Sequence, residues 1–398
     1  MRRYLEILRT PHVSRLFAAS LPARLPMGIN GLAIVLLLRA ETGSFGVAGA
    51  TAGALALGSG LGAPVTARMI DSLGVRTLLV LAGVSAAGLL AVVALARGGA
   101  PTFALLAAAL VAGGAFPPTS SVLRAQYPTL FAGRPSLLQG AFALDSVLTE
   151  AIFTVGPLLT AVLVVFFSPG AALLVSAAAL VGGTAAMVAA LPPAPAPSPA
   201  GSAASPGRLG ALAVPGIRTL VAAMLPVGFA FGALEVALPA FADAEGRPEL
   251  AGVLVALWAL GSVAGGLAYG ARPRRGSLAS VHLRFALLLP VSFLPLALAT
   301  SPAAMALLVI PAGVLIAPLI ATRNELAGLV APEGARTEAY TWPLTALVAG
   351  IAVGAGTAGA LADATGWQAA VLAATLAAGV GAAVSAGRRA TLAPAGSR

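Results

Sequence analysis

The stretch Ala-Leu-Gly-Ser at residues 56–59, followed by Gly62, decides the fold because it occurs twice. About 200 residues later the same four residues stand at 259–262, again followed by a glycine. Two further matches keep the same order and nearly the same offset: 25–28 with 225–228, and Phe142 and Gly156 with Tyr340 and Gly354. The chain therefore reads as a duplication, with two similar halves.

The composition indicates that both halves are embedded in lipid. Of the 398 residues, 59% are hydrophobic and only 9% are charged, with a mean hydropathy of +0.97. Soluble domains carry roughly 25% charged residues, and so apolar a chain cannot cover itself with polar surface. There is no cysteine, which excludes disulfides and thiolate metal sites. A duplicated helical membrane protein favours transport, because two similar bundles can rock about a site between them.

Apolar runs of about 20 residues predict membrane-spanning helices. We predict twelve, in an all-α integral membrane fold of two six-helix repeats: 14–38, 45–67, 77–96, 102–123, 136–166, 170–191, 215–241, 250–270, 280–299, 302–322, 339–361 and 367–386.

The two repeats are separated by a Pro/Ser/Gly-rich linker. We predict a first bundle at 1–191, a cytoplasmic linker at 192–214 and a second bundle at 215–398. With both termini inside, only Arg39, Arg97 and Arg247 lie in outer loops, as the positive-inside rule requires. The sequence therefore predicts a multi-pass protein of the cell membrane with both termini in the cytoplasm. The same rule accounts for the net charge of +10 without nucleic acid.

Twelve spans, a six-plus-six repeat and a long central loop resemble the major facilitator superfamily. Its signature in the loop after the second span is Gly-x-x-x-Asp-Arg-x-Gly-Arg-Arg/Lys. Here Asp71, Gly74 and Arg76 match, whereas Ala67 and Ser72 depart from it. The resemblance implies that these three residues form a conformational latch on the cytoplasmic side. Gly156-Pro157 also matches part of the motif found in antiporters of the family, and drug-efflux members are the most similar.

Few charged residues are placed within the spans. The candidates that lie deep in a span are Arg24, Asp145, Glu150 and Glu235, and a charge at the bilayer centre should face a cavity or a partner because exposure to lipid is costly. At 1.5 Å per residue, Arg24 and Asp145 both lie roughly 13 Å from the inner surface, so an ion pair is expected. Glu150 is the first candidate for proton coupling, followed by Asp145 and Glu235.

A small-molecule site has apolar walls with a few placed polar groups. Side chains of this kind occur on spans that line the central cavity in the resembled family. The candidate substrate-binding residues are Arg24, Asn30, Phe116, Thr119, Gln139, Phe142, Phe231, Tyr340 and Trp342. Helix packing is the alternative for Phe142 and Phe231, and a purely structural ion pair is the alternative for Arg24.

Two further arginines stand at the predicted inner ends of spans. Arg124 ends span four, and Arg323 ends span ten as its approximate repeat counterpart. We expect both at the cytoplasmic surface, in salt bridges between loops, with entry of Arg323 into the cavity as the alternative.

The pattern favours a proton-coupled exporter of a small amphiphilic compound, with a uniporter or importer on the same fold as the alternative. An enzyme would need a cluster of His, Cys or paired acids, and a receptor or scaffold would more often carry a soluble domain; the sequence shows neither. Lysine is absent, so no phosphate-binding loop is present and ATP is not the driving force. We predict no cofactor or metal, a monomer, and substrate, protons and lipid as partners.

Overall fold

The computed structural model describes residues 6–7, 9, 11–191, 209–247, 250–332 and 334–392, and the side chain of Glu150 lies outside this description. The linker predicted at 192–214 also lies outside it up to residue 208. Residues 210–213 form a short 3-10 helix.

The described part of the first half contains eight α-helices that build the six predicted spans. Two spans are each divided into two helices: Leu25 separates α1 from α2, and Pro117-Pro118 separates α5 from α6. The helices are α1 (Pro11–Arg24), α2 (Pro26–Thr42), α3 (Phe45–Leu73), α4 (Thr77–Arg97), α5 (Thr102–Gly114), α6 (Thr119–Leu130), α7 (Pro135–Phe166) and α8 (Pro169–Ala190).

The described part of the second half repeats this order with seven α-helices. Its fourth span is divided at Leu315, near the position equivalent to the proline break of the first half. The helices are α9 (Pro215–Ala244), α10 (Leu250–Ala271), α11 (Leu278–Phe293), α12 (Pro302–Val314), α13 (Ile316–Val330), α14 (Arg336–Thr365) and α15 (Trp367–Gly387).

The prediction of an all-α membrane protein is confirmed. Eleven helical segments of the described chain are long and apolar enough to cross a membrane by length and composition. With α3, a helix of 29 residues, they occupy the positions of the twelve predicted spans. Several helices extend beyond the predicted ends, and α3 continues to Leu73 instead of ending at residue 67.

The repeated glycines explain why the duplicated stretch decides the fold. A Cβ atom added at Gly58 would collide with the carbonyl oxygen of Leu110, and one at Gly261 would collide with that of Ile310. The motif therefore permits close backbone contact of α3 with α5 in one half and of α10 with α12 in the other. Small residues at helix interfaces serve this purpose in membranes, where burial from water does not drive association.

Candidate functional site

An ion cluster lies between α1, α6 and α7 of the first bundle. The Arg24 guanidinium donates to Asp145 Oδ1 at 2.7 Å and to Thr149 Oγ1 at 2.5 Å. Arg124 Nε donates to Asp145 Oδ2 at 2.6 Å. The side chains of Arg24, Arg124 and Asp145 are at most 2% exposed. The expected contact between Arg24 and Asp145 is present, and a second arginine shares the carboxylate.

The expectation that Arg124 lies at the cytoplasmic surface is wrong. The helix does not end at residue 123 but continues as α6 to Leu130, which places Arg124 in its middle. Its side chain is buried on the helix face shared with Ser121 and Tyr127, one turn away on either side. The prediction failed because the apolar run was taken to end at Arg124, whereas the helix continues for six more residues.

Arg323 is the corresponding residue of the second bundle, and its side chain is 1% exposed. None of its three guanidinium nitrogens has a hydrogen-bond partner among the described residues. It interacts electrostatically with Arg124 and Asp145 across the bundle interface. The surface position expected for Arg323 is therefore wrong, and the alternative of entry into the interior is what the structure shows.

The charges of this cluster do not balance within the described part of the chain. Arg24 and Arg124 bind the single carboxylate of Asp145, and the buried guanidinium of Arg323 has no ion pair among the described residues, which leaves two positive charges without a counter-charge there. Burying an unpaired charge is expensive, so such an excess calls for an anionic partner. Glu325, two residues from Arg323, accepts instead from Tyr269 Oη at 2.9 Å and Arg274 Nη1 at 2.6 Å.

Aromatic rings connect the cluster to the second bundle. The Phe142 ring lies 5.1 Å from that of Tyr127 and 6.2 Å from that of Tyr340, measured between centroids. Phe142 and Tyr340 are equivalent positions of the repeat, so the interface brings these two predicted residues together. Phe231 instead packs on Trp258 within the second bundle, with the ring centroids 6.0 Å apart.

A cavity of about 120 Å³ lies between α2, α3, α6 and α14. Its walls include Phe116 and Thr119, two of the predicted substrate residues. Beside them, Thr341 Oγ1 donates to Ser121 Oγ at 2.9 Å and connects the two bundles. Small-molecule sites usually enclose about 300–1,000 Å³, so a ligand of ordinary size requires the bundles to move apart.

The remaining predicted residues lie elsewhere. Asn30 accepts a hydrogen bond from Ser176 of α8 and so faces its own bundle. Trp342 Nε1 donates to Glu338 Oε1 at 3.0 Å. Glu235 is exposed on α9, without a recorded hydrogen bond or ion pair to the described residues. The backbone of Glu150 lies within α7.

One end of the molecule, which we call the basic end, contains residues 68–76, 134–139, 269–275 and 336–338. Here α14 begins after Ala335, whose side chain cannot cap a helix. Asp71 of the first bundle supplies the cap: its carboxylate accepts from the backbone N–H groups of Thr337 at 3.2 Å and Glu338 at 3.0 Å. These are the second and third helical positions, which an N-cap side chain ordinarily satisfies.

An arginine near Asp71 also contacts α14 at the basic end. Arg68 binds the Glu338 carboxylate at 2.7 Å. Gly74, with a φ of 90°, ends α3 after Asp71, and Arg76 is exposed at the start of α4. The contacts recorded for the predicted latch thus join Asp71 and Arg68 to α14, not Asp71 to Arg76.

A second contact between the bundles lies at the same end. Gln139 Nε2 donates to the carbonyl oxygens of Tyr269 at 2.8 Å and Arg272 at 3.0 Å. Its side chain is 2% exposed. Gln139, predicted to bind substrate, is therefore engaged in closing the basic end.

Solved structures with the same fold are numerous. The human organic anion transporter MFSD10 (TETRAN) is 19% identical with a TM-score of 0.73, covering 94% of this chain and 98% of that one. A bacterial homologue of the iron transporter ferroportin, in an outward-facing state, is 16% identical with a TM-score of 0.77, covering 95% and 99%. The Escherichia coli fucose:proton symporter FucP is 13% identical with a TM-score of 0.71, covering 96% and 99%. Identities this low show the fold alone.

Sequence comparison identifies the family. No curated protein matches the chain. A sequence profile described as the Major Facilitator Superfamily matches residues 16–342, which is most of the chain and extends from the first bundle into the second. The chain belongs to the Major Facilitator Superfamily of membrane transporters.

Proposed function

We propose that this protein is a secondary active transporter that exports a small amphiphilic organic anion across the cell membrane in exchange for protons. The observation that carries the proposal is the buried cluster in which three arginines face one carboxylate. Arg323, with no hydrogen-bond partner among the described residues, is the group that meets the substrate. A guanidinium binds carboxylate or phosphate oxygens in bidentate geometry, which provides both affinity and orientation.

The surroundings of the cluster favour an anion with an apolar portion. Phe142 and Tyr340 lie beside it, and Phe116 lines the neighbouring cavity. The name of the human structural neighbour, an organic anion transporter, agrees with this substrate class.

Alternating access follows from the contacts at the basic end. The arginine distribution predicts that the basic end is cytoplasmic, and the role proposed for the contacts of Asp71 and Gln139 is to close the cytoplasmic entrance. Because these contacts form only while the bundles are together there, they stabilise one of the two states that the transporter must visit.

The proposed proton carrier is Glu150, with Glu235 as the second candidate. Asp145 is assigned to holding Arg24 and Arg124, because protonation of its carboxylate would break two buried ion pairs at once. The sequence places Glu150 five residues beyond Asp145 on the same helix, roughly 7.5 Å deeper into the membrane.

Proteoliposomes with an imposed pH gradient test the proposal. The substrate panel pairs amphiphilic carboxylates and phosphonates with cations of matched size, and transport is measured as counterflow of the labelled compound. Wild type should transport anions, with flux that follows the pH gradient. Arg323→Gln should abolish anion counterflow. The control Arg388→Gln replaces an exposed arginine just after the last α-helix and should not abolish it.

Transport of cations alone, or undiminished anion transport by Arg323→Gln, would contradict the proposed substrate class. Anion flux that is insensitive to the pH gradient would favour the alternative of a uniporter. Substrate uptake coupled to proton movement in the same direction would favour an importer.

A further inference from the structure

A second, larger pocket of about 720 Å³ lies at the basic end. Its walls come from α10, the following loop, α11 and the division between α12 and α13, with Gln139 contributed by the first bundle. It does not include Arg24, Arg124 or Arg323 and is therefore separate from the ion cluster.

The rim of this pocket is strongly basic. Arg272, Arg274, Arg275 and Arg284 all line it. Only Arg274 has a recorded carboxylate partner, Glu325. The other three are exposed and form no recorded ion pair with the described residues. The rim therefore presents three positive charges that are free to bind an anion.

The pocket changes from basic to apolar along the membrane normal. Arg272 and Arg275 lie in the loop at the basic end, and Arg284 follows on the second turn of α11. Leu288, one turn beyond Arg284, is half exposed to the surroundings of the bundle and lines the same pocket. A polar head held by the arginines would thus continue into a tail that lies along α11 in the hydrocarbon region.

We propose that this pocket binds one phospholipid with an anionic headgroup. Charge complementarity selects the head, since basic pockets between spans at the cytoplasmic surface attract anionic headgroups. The apolar wall that opens toward lipid selects an acyl chain over a soluble anion. The volume, at 720 Å³, is sufficient for the head and the first part of the chains.

The position of Gln139 gives the lipid a means of regulation. Gln139 lines the pocket and donates to the backbone carbonyl of Arg272, and so ties α7 to the loop that carries the basic rim. A lipid held by that loop stabilises the arrangement in which the bundles touch at this end. This second step rests on the proposed alternating access, whereas lipid binding itself does not.

Native mass spectrometry of the purified protein tests binding, with dioleoylphosphatidylglycerol and dioleoylphosphatidylcholine as probes. The test variant is the triple Arg272→Gln, Arg275→Gln and Arg284→Gln. The matched control is the triple of exposed arginines Arg218→Gln, Arg388→Gln and Arg389→Gln, which removes the same charge.

Wild type and control should retain one phosphatidylglycerol in preference to phosphatidylcholine. The pocket triple should bind it about 100-fold more weakly, at roughly fivefold per arginine. Equal weakening in both triples would show a general surface attraction and overturn the site. Displacement of the lipid by millimolar glycerol 3-phosphate would show that the pocket takes a soluble anion instead.

A second variant, Leu288→Asn, keeps all arginines. It distinguishes a loss of lipid binding from a general folding defect of the pocket triple. It should weaken phosphatidylglycerol retention, and unchanged retention would overturn the assigned position of the acyl chain. For regulation, accessibility of a cysteine at Thr119 is measured in nanodiscs with and without phosphatidylglycerol. The lipid should slow labelling from the basic end in wild type but not in the pocket triple; equal rates would refute the regulatory step alone.

Discussion

Substitution of Asp145 should destabilise the protein more than substitution of either arginine that binds it. Asp145→Asn leaves the buried guanidinium groups of Arg24 and Arg124 without a counter-charge, and removing one partner of a buried pair costs about 3–5 kcal/mol. Arg24→Met leaves the carboxylate paired with Arg124, so the loss approaches that of a charge-assisted hydrogen bond, about 1.5–3 kcal/mol. Asp145→Asn should therefore cost about twice as much as Arg24→Met or Arg124→Met.

Double and triple variants test directly whether Arg24 and Arg124 share the Asp145 carboxylate. An isolated Arg24–Asp145 pair, as expected from the sequence, predicts that Arg24→Met combined with Asp145→Asn recovers most of the stability. The cluster predicts little recovery, because Arg124 remains buried and unpaired in the double variant. Recovery should increase when Arg124→Met is added, since replacing buried ionic groups by apolar residues is often neutral, and Arg323 is then the one charge of the cluster that remains.

The assay is thermal unfolding in detergent, followed by intrinsic fluorescence, with loss of monodispersity as a second signal. Ser146→Ala is the matched control, because among the described residues its buried hydroxyl donates only to the carbonyl of Phe142 on the same helix. Equal shifts for Asp145→Asn and Arg24→Met, or full recovery in the double variant, would refute the shared carboxylate.

Three further substitutions probe coupling, the latch and the repeat. Glu150→Gln should retain substrate counterflow but lose accumulation driven by the pH gradient; gradient-driven accumulation at the wild-type rate would exclude Glu150 as the proton carrier. Asp71→Asn removes a charge from a helix N-terminus, an interaction worth about 0.3–1 kcal/mol. A cysteine introduced at Thr119 should therefore be labelled up to about fivefold faster from the cytoplasmic side. Identical labelling rates in the variant and in the protein with Asp71 would exclude the latch. Gly58→Ala should lower the stability of the protein by about 1–3 kcal/mol through overpacking. Gly60→Ala, on the same helix with open space around it, should leave the stability unchanged. Similar melting temperatures for the two variants would contradict the close contact of α3 with α5.

The fold could be predicted because lipid limits the possible structures. Apolar runs of the right length must be helices, and the repeated glycines at 58 and 261 report close helix contacts that only a duplicated bundle explains. The Arg24–Asp145 contact was predictable for a related reason. Opposite charges at equal depth in neighbouring spans have no better partner than each other.

The second and third arginines of the site could not be assigned from span boundaries. Predicted ends carry an error of a few residues, and at 1.5 Å per residue such an error moves a side chain between the surface and the interior. Arg124 and Arg323 each lie one residue beyond a predicted span end, within this error. Their equivalence in the repeat was the available signal, because related helices that face each other across an interface place related residues near the axis.

The latch illustrates a different limit of sequence reasoning. The family signature implied that Asp71 belongs to a latch on the cytoplasmic side, and the partner of its carboxylate on the other bundle comes from the structure. That partner is the uncapped start of α14, where Ala335 leaves two N–H groups for Asp71 to satisfy. A cap provided by the other bundle is lost whenever the bundles separate, so the bond is specific to one state.

The arginines without a counter-charge lie on different bundles, and this position gives them a role in the proposed transport cycle. Arg124 belongs to the first bundle and Arg323 to the second, and they repel each other across the interface. An anion bound between them replaces that repulsion with two attractions, and it does so most strongly when the bundles are closest. The substrate thereby favours the occluded arrangement over either open one, since a ligand shifts an equilibrium only by its differential affinity for the states. The empty transporter lacks this compensation, and the repulsion between the two arginines opposes its passage between states without cargo.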